Sequence, residues 1–427
     1  MFLTGMLPAV ALAELAGHGG AVKGIAVTVD GKAAVSASFD YSLILWDLDG
    51  QSQSARLIGH DAAVNSVALT PDGKVAVSGS DDGTLALWDL DTRQMTGRMN
   101  GHKGKVAAVA VSPDGRTAAS GAWDSTVRLW DLASRRQVRQ LGGHESNVNA
   151  VTFSPDGRLL LSGGYDATIR IWRVGDGTQI QMLSGHDFGV NALAVTADGE
   201  TLISGSIDET VRLWDLATGR ETNLLRGHAG PVLSVAVSPD GSTIASGGID
   251  GSILLWRRDT GETIRTIFGH RGPVWSVAFT SDGQTLLSAG ADDVARHWQL
   301  ETGREIGGGI RVNAAAHEDA DDSGDRGQRL FRKCAACHTL TAEGGNKAGP
   351  SLHGLFGRRA GTVPGYPYSP ALKNSDIVWT EESVAALFDI GPENLTPGSK
   401  MPLQRMPSEQ DRRDLVQFLK RATAAER

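Results

Sequence analysis

The chain has almost no cysteine: two residues in 427. Both fall within five positions, Cys334-Ala335-Ala336-Cys337-His338, so no thiol is left for a disulfide elsewhere. Long apolar runs are absent too. No stretch approaches the ~18 residues needed to cross a bilayer as a helix, so the sequence predicts a soluble protein without a transmembrane segment. A surplus of basic residues is also missing. The formal net charge is -8, which excludes the basic footprint of a nucleic-acid-binding protein. That charge is unevenly placed: residues 326–427 hold 15 Lys/Arg against 10 Asp/Glu, net +5, leaving -13 on residues 1–325. Opposite fields of this kind favour electrostatic docking between the parts or with a partner.

What is present begins with that cysteine pair. C-x-x-C-H reads as the covalent attachment point of one haem c, with Cys334 and Cys337 as thioethers on the porphyrin edge and His338 reaching the iron. At this length two or more domains are expected, and the motif belongs to the second.

The first part is a repeat. Gly-His pairs begin at 17, 59, 101, 143, 185, 227 and 269, always 42 residues apart, and Trp recurs in the same step from Trp46 to Trp298. Within a unit, runs such as Val64–Leu69 and Val75–Ser80 flank a Pro-Asp-Gly turn, and a second turn at Asp81-Asp82-Gly83 leads to Thr84–Trp88. Four short antiparallel strands per unit make a sheet that buries both faces only by stacking on its neighbours. A Gly-His to Trp-Asp unit of this length resembles the WD40 repeat family over residues 14–306, which implies a seven-bladed β-propeller.

Every unit also carries Ser ten residues, and Asp six residues, before its Trp, as in His18, Ser36, Asp40 and Trp46. The resemblance implies a buried hydrogen-bonded chain of these four groups, and mutual satisfaction of indole, hydroxyl, imidazole and carboxylate is its physical reason. Seven His/Asp/Ser sets imitate hydrolase triads, but a catalytic site has no reason to recur in every blade. Residues that vary between blades say more about partners. The position before the repeated Asp reads Phe39, Asp81, Trp123, Tyr165, Ile207, Ile249, Ala291; the fifth after the His reads Lys23, Asn65, Ala107, Asn149, Asn191, Leu233, Trp275. The family places both positions on a partner-binding surface, so Phe39, Trp123, Tyr165 and Trp275 are expected to be exposed there. His297 replaces a Leu or Ile found in the other units; it reads as a partly exposed strand residue rather than a metal ligand.

Residues 307–325, with the run His317–Asp325, are acidic and without apolar periodicity and read as a flexible linker. Residues 326–427 resemble the class I cytochromes c of the mitochondrial and bacterial c2 type. Gly327 and Phe331 before Cys334, then Gly349-Pro350, Arg358, Tyr368, Trp379 and Pro397-Gly398-Ser399-Lys400-Met401 carry the match. The resemblance implies an all-α domain in which the first and last helices cross at Gly327. It implies His338 and Met401 as axial ligands, the Pro350 carbonyl holding the His338 ring, and Arg358, Tyr368 and Trp379 on the propionates. Met406 and His353 are the alternatives for the distal ligand. Lys333, Lys347, Lys373 and Lys400 are expected to ring a basic haem edge where a redox partner docks. Ser408 and Asp411 are expected to form a capping box. Leu372, and Leu387 or Phe388, stand where family members often have polar groups near the haem and the Met sulfur.

The sequence thus predicts an electron-transfer protein with a cytochrome tethered to a docking propeller. The alternatives are a redox enzyme with a site in the propeller, or a redox sensor. Residues 1–13 resemble the apolar part of a secretory signal ending in Ala11-Leu12-Ala13, without a basic start. Cleavage there and a periplasmic location are expected. If residues 8–16 survive they supply the seventh outer strand, and if cleavage removes residues 1–13 then residues 304–311 must; the copy of Ala217–Glu221 in Glu301–Glu305 favours the second.

Overall fold

The computed structural model describes residues 15–306 and, beyond them, 326–335, 338–341, 346, 349–366, 368, 370–396, 401, 406 and 408–424. The first stretch forms seven antiparallel sheets. Blade 1 consists of Val22–Val27, Ala33–Ser38, Ser42–Asp47 and Ser52–Ile58; blades 2 to 6 repeat all four strands, and blade 7 the first three, in steps of 42 residues. The innermost strand of blade 1 packs beside that of blade 7, Val274–Phe279, so the ring is closed.

Small and branched residues set the spacing between blades. A side chain at Gly79, Gly121, Gly163, Gly205 or Gly247 would run into the Val of the next innermost strand, 2.6–2.8 Å from its Cγ1. The core is therefore shared between neighbours. Val35, Leu43 and Leu45 of blade 1 pack with Val64 and Trp88 of blade 2, all buried. Burying such a side chain stabilises by about 1.5–3 kcal/mol, which a lone sheet with two open faces could not collect. The Pro-Asp-Gly type turns use a left-handed glycine in all seven blades, from Gly31 at φ 71° to Gly283 at φ 66°.

Blade 7 closes in a way the sequence offered only as alternatives. Its third strand, Val294–Gln299, pairs with both chain segments: Leu15 and Ala16 lie opposite Ala295 and Val294, while Arg304 and Glu305 lie opposite Gln299 and Trp298. The two segments share its edge. Leu15 is buried in the interface with blade 1 beside Trp46 and Ala295.

The C-terminal part is helical, with helices at Arg326–Ala335, Pro370–Lys373, Glu381–Ile390, Pro392–Leu395 and Glu409–Ala422. Its first and last helices cross at Gly327, where a Cβ would overlap the Asp414 carbonyl oxygen and the Phe418 side chain. Phe331 and Phe418 pack with ring centroids 5.5 Å apart. Ser408 caps the last helix by accepting from Asp411 N–H, but the reciprocal half of the expected box is missing, because the Asp411 carboxylate pairs with Arg326 at 2.5 Å. The helix Glu381–Ile390 carries the full box instead, between Thr380 and Ser383.

Candidate functional site

A crevice in the helical part brings together Phe331, Cys334, His338, Pro350, Arg358, Tyr368, Leu372, Trp379, Leu387, Phe388 and Met401. Each is held by local backbone. His338 N–H donates to the Cys334 carbonyl at 2.9 Å, continuing the turn of the first helix. The ring Nδ1–H donates to the Pro350 carbonyl at 2.7 Å, which fixes the tautomer with the lone pair on Nε2. The ring lies against Gly349, where any Cβ would collide with it. Trp379 and Arg358 are fixed to each other's loop by Gly357 N–H to the Trp379 carbonyl, 2.9 Å, and Trp379 N–H to the Arg358 carbonyl, 3.0 Å.

Arg358 is half-buried, and its guanidinium donates to the carbonyls of His353 at 2.6 Å and Ser351 at 2.8 Å. Those dipoles orient it, yet among the described residues no carboxylate neutralises it. Burial pulls the guanidinium below its ordinary pKa and pushes the Tyr368 phenol above its own, the latter opposed by Arg358. An orphaned cation beside a tyrosine and a tryptophan, in an otherwise apolar crevice holding an imidazole and a thioether, fits a haem with its propionates. Met401 and Met406 are both partly buried against this core, but only Met401 lines the crevice. His353 hands its carbonyl to Arg358. Cys337, Lys347 and Lys400 lie outside the described residues, as do the side chain of Lys333 and residues 307–325; Lys373 is exposed.

In the propeller all seven His–Asp–Ser–Trp sets are hydrogen-bonded alike. In blade 3, Trp130 Nε1–H donates to Ser120 Oγ at 2.8 Å, His102 Nε2 lies 2.7 Å from Ser120 Oγ, and His102 Nδ1 lies 3.0 Å from Asp124. A neutral imidazole satisfies the whole chain: indole to hydroxyl, hydroxyl to Nε2, Nδ1–H to carboxylate. Burial lowers the His102, His186 and His228 pKa values against the pull of their aspartates. Burial alone would raise the Asp124 carboxyl, but hydrogen bonds from Lys103 N–H, Thr126 and His102 hold it down to about 2. These are buried structural networks in every blade.

The loop after each His and the turn before each tetrad Asp meet on one end of the ring, here the upper face; Trp123 N–H to Lys105 O and Tyr165 N–H to Asn147 O are two of seven such links. Of the four aromatics expected there, Trp123 is 48% and Tyr165 57% exposed. Phe39 and Trp275 differ: they are partly buried, because Lys23 Nζ lies 3.2 Å from the Trp275 ring centroid and 5.6 Å from that of Phe39. Burial lowers the Lys23 pKa to about 7, with Asp81 opposing the fall. Phe188, 62% exposed, escaped the reading of the sequence. The signal was available, since its column otherwise reads Gly20, Ala62, Gly104, Ser146, Gly230 and Gly272. His297 Nε2 is bonded to Thr285 Oγ1 at 2.8 Å, and no group of three or more His, Cys, Asp or Glu able to hold a metal ion occurs among the described residues. Among them, too, no helix is long and apolar enough to cross a membrane.

Seven repeated blades joined to a helical crevice with this donor set define a propeller protein bearing a c-type cytochrome domain. The comparisons agree: the WD domain, G-beta repeat model matches seven times between residues 10 and 299, and the cytochrome c model matches residues 324–423. The chain therefore belongs to the WD40 repeat family and carries a domain of the cytochrome c family. Cytochrome c of Sesamum indicum is 46% identical over 101 residues, 23% of this chain and 88% of that protein. Cytochrome c of Ginkgo biloba is 41% identical over the same shares, and that of Gibberella zeae 41% identical over 99 residues, 23% and 92%. The family assignment implies haem c and electron transfer in the second domain, and protein interaction in the first.

Proposed function

We propose that this chain is an exported, periplasmic electron carrier in which one haem c, bound through Cys334 and Cys337 with His338 and Met401 as axial ligands, is tethered to a propeller that docks the redox partner. The observation that carries the reading is the His338 geometry: Nδ1 is committed to the Pro350 carbonyl, and the imidazole and the Met401 thioether line one crevice. The haem supplies one-electron chemistry when bound. The chain's own residues do the rest. Pro350 fixes the tautomer of His338, Gly349 lets the ring lie flat against the backbone, and Arg358, Tyr368 and Trp379 receive the propionates. A soft thioether opposite an imidazole favours the ferrous state. The apolar Leu372, Leu387 and Phe388 keep the crevice dry.

Purified protein is expected to hold one haem that resists acid-acetone extraction and to show a weak absorption band near the red edge from Met–iron bonding. Met401→Ala should abolish that band and Met406→Ala should leave it; the reverse pattern overturns the ligand assignment. Intact mass of the exported chain is expected to match a start at Glu14 plus one haem, and a start at Met1 would sink the signal-peptide reading.

A further inference from the structure

The upper face is chemically divided. On blades 7, 1, 2 and 3 rings and cations are already engaged with one another. Lys23 covers Trp275, and Lys105 Nζ is 2.7 Å from Asp81 and 5.0 Å from the Trp123 ring centroid. Asn65 donates to the same Asp81 at 2.7 Å. On blades 4, 5 and 6 nothing of the kind occurs. Tyr165 is 57%, Phe188 62% and Ile249 44% exposed. The backbone joins two of them into one surface, since a Cβ on Gly189, next to Phe188, would stand 3.0 Å from Tyr165 and 3.2 Å from Ile207.

The charged side chains on the loops that carry this apolar surface have one sign. Glu145, Asp187 and Glu209 are exposed, and among the described residues no side chain pairs with any of their carboxylates. Segments 143–149, 165–168, 185–191, 207–210, 227–233 and 249–252, which build this sector, contain no Lys or Arg. The three aromatic rings that have a cation nearby on the other sector, Phe39, Trp123 and Trp275, show what such a ring takes when a cation is within reach. Tyr165 has none of its own.

We propose that the sector formed by Tyr165, Phe188, Ile249 and the three free carboxylates is the propeller's docking site for a basic protein surface, one that seats an apolar side chain between flanking Lys or Arg. The proposal rests on the docking-platform reading above and narrows it to one sector and one partner chemistry. Apolar contact at Tyr165 and Phe188 supplies the anchor, and the unpaired carboxylates steer and orient a cationic rim.

The test uses the full haem-bearing chain and a fluorescent peptide with a Leu-Trp-Leu centre flanked on each side by three Lys/Arg. Two control peptides carry Glu flanks or a Ser centre. Titration by anisotropy should show binding of the basic apolar peptide alone, weakening as salt is raised. Tyr165→Ser with Phe188→Ser should weaken it at least ten-fold. Glu145→Gln with Asp187→Asn and Glu209→Gln should weaken it about as much at low salt and flatten the salt dependence. All five positions are exposed or partly exposed, and unchanged circular dichroism checks the fold of each variant. Equal binding of the acidic peptide, no binding up to millimolar concentration, or indifference to both variant sets overturns the proposal. Photo-cross-linking of the peptide separates two failures: label confined to blades 7, 1 and 2 refutes this sector but keeps the docking platform, whereas label absent from the whole upper face refutes both.

Discussion

Removing one hydroxyl from one blade tests how much the tetrad holds. Ser120 is fully buried, accepts from Trp130 Nε1–H and donates to His102 Nε2. In Ser120→Ala the indole N–H and the imidazole lone pair both lose their partner with no water in reach. A buried polar group left unmade costs about 1–3 kcal/mol, so two orphans give about 2–6 kcal/mol, while the volume lost is a single oxygen. The rest of the chain stays paired: Asp124 keeps the Lys103 N–H and Thr126 hydrogen bonds that help hold its carboxyl low. Urea denaturation followed by far-ultraviolet circular dichroism, which the β propeller dominates, should show a lower midpoint at nearly unchanged slope. A loss under ~0.5 kcal/mol would refute the view that the hydroxyl bridges two buried groups.

Two further outcomes follow from the same structure. Gly327→Ala forces a Cβ onto the Asp414 carbonyl and Phe418, so thermal melting read at the haem absorbance should shift by the equivalent of about 2 kcal/mol or more, and an unshifted melt would contradict the helix crossing. Acidification should destabilise the propeller in two stages. His102, His186 and His228 resist protonation in the folded state relative to the ordinary 6.5, so the unfolded chain binds more protons and stability falls as pH drops below that value. Asp124 and Asp292, held down to about 2, then lose their stabilising effect as pH falls from 3.8 toward 2. A melting temperature that rises between pH 7 and pH 5 would sink this account.

The tetrads and the crevice were legible because their residue types are rare and their spacing is strict. Ser120 sits ten residues before Trp130 in a column that never varies, and His338 is followed at fixed distance by Pro350. What stayed hidden depends on neighbours far away in sequence. Nothing near Trp275 says that it is covered, because the cover is Lys23, reached only when the last blade meets the first. Asp411 was assigned to a cap by its local pattern, and the tertiary partner Arg326 took it instead. The closure of blade 7 was posed as a choice because a pattern search ranks candidates for a place, whereas a strand edge six residues long can take two short occupants side by side.

That shared edge has a mechanical consequence. Arg304–Glu305 is the segment of this edge on the haem-domain side of the sequence, so a load applied from that side reaches it first. Leu15 and Ala16 hold the other half of the same edge and are not in the line of force. The C-terminal piece can peel away and return while the ring stays latched by the N-terminal piece.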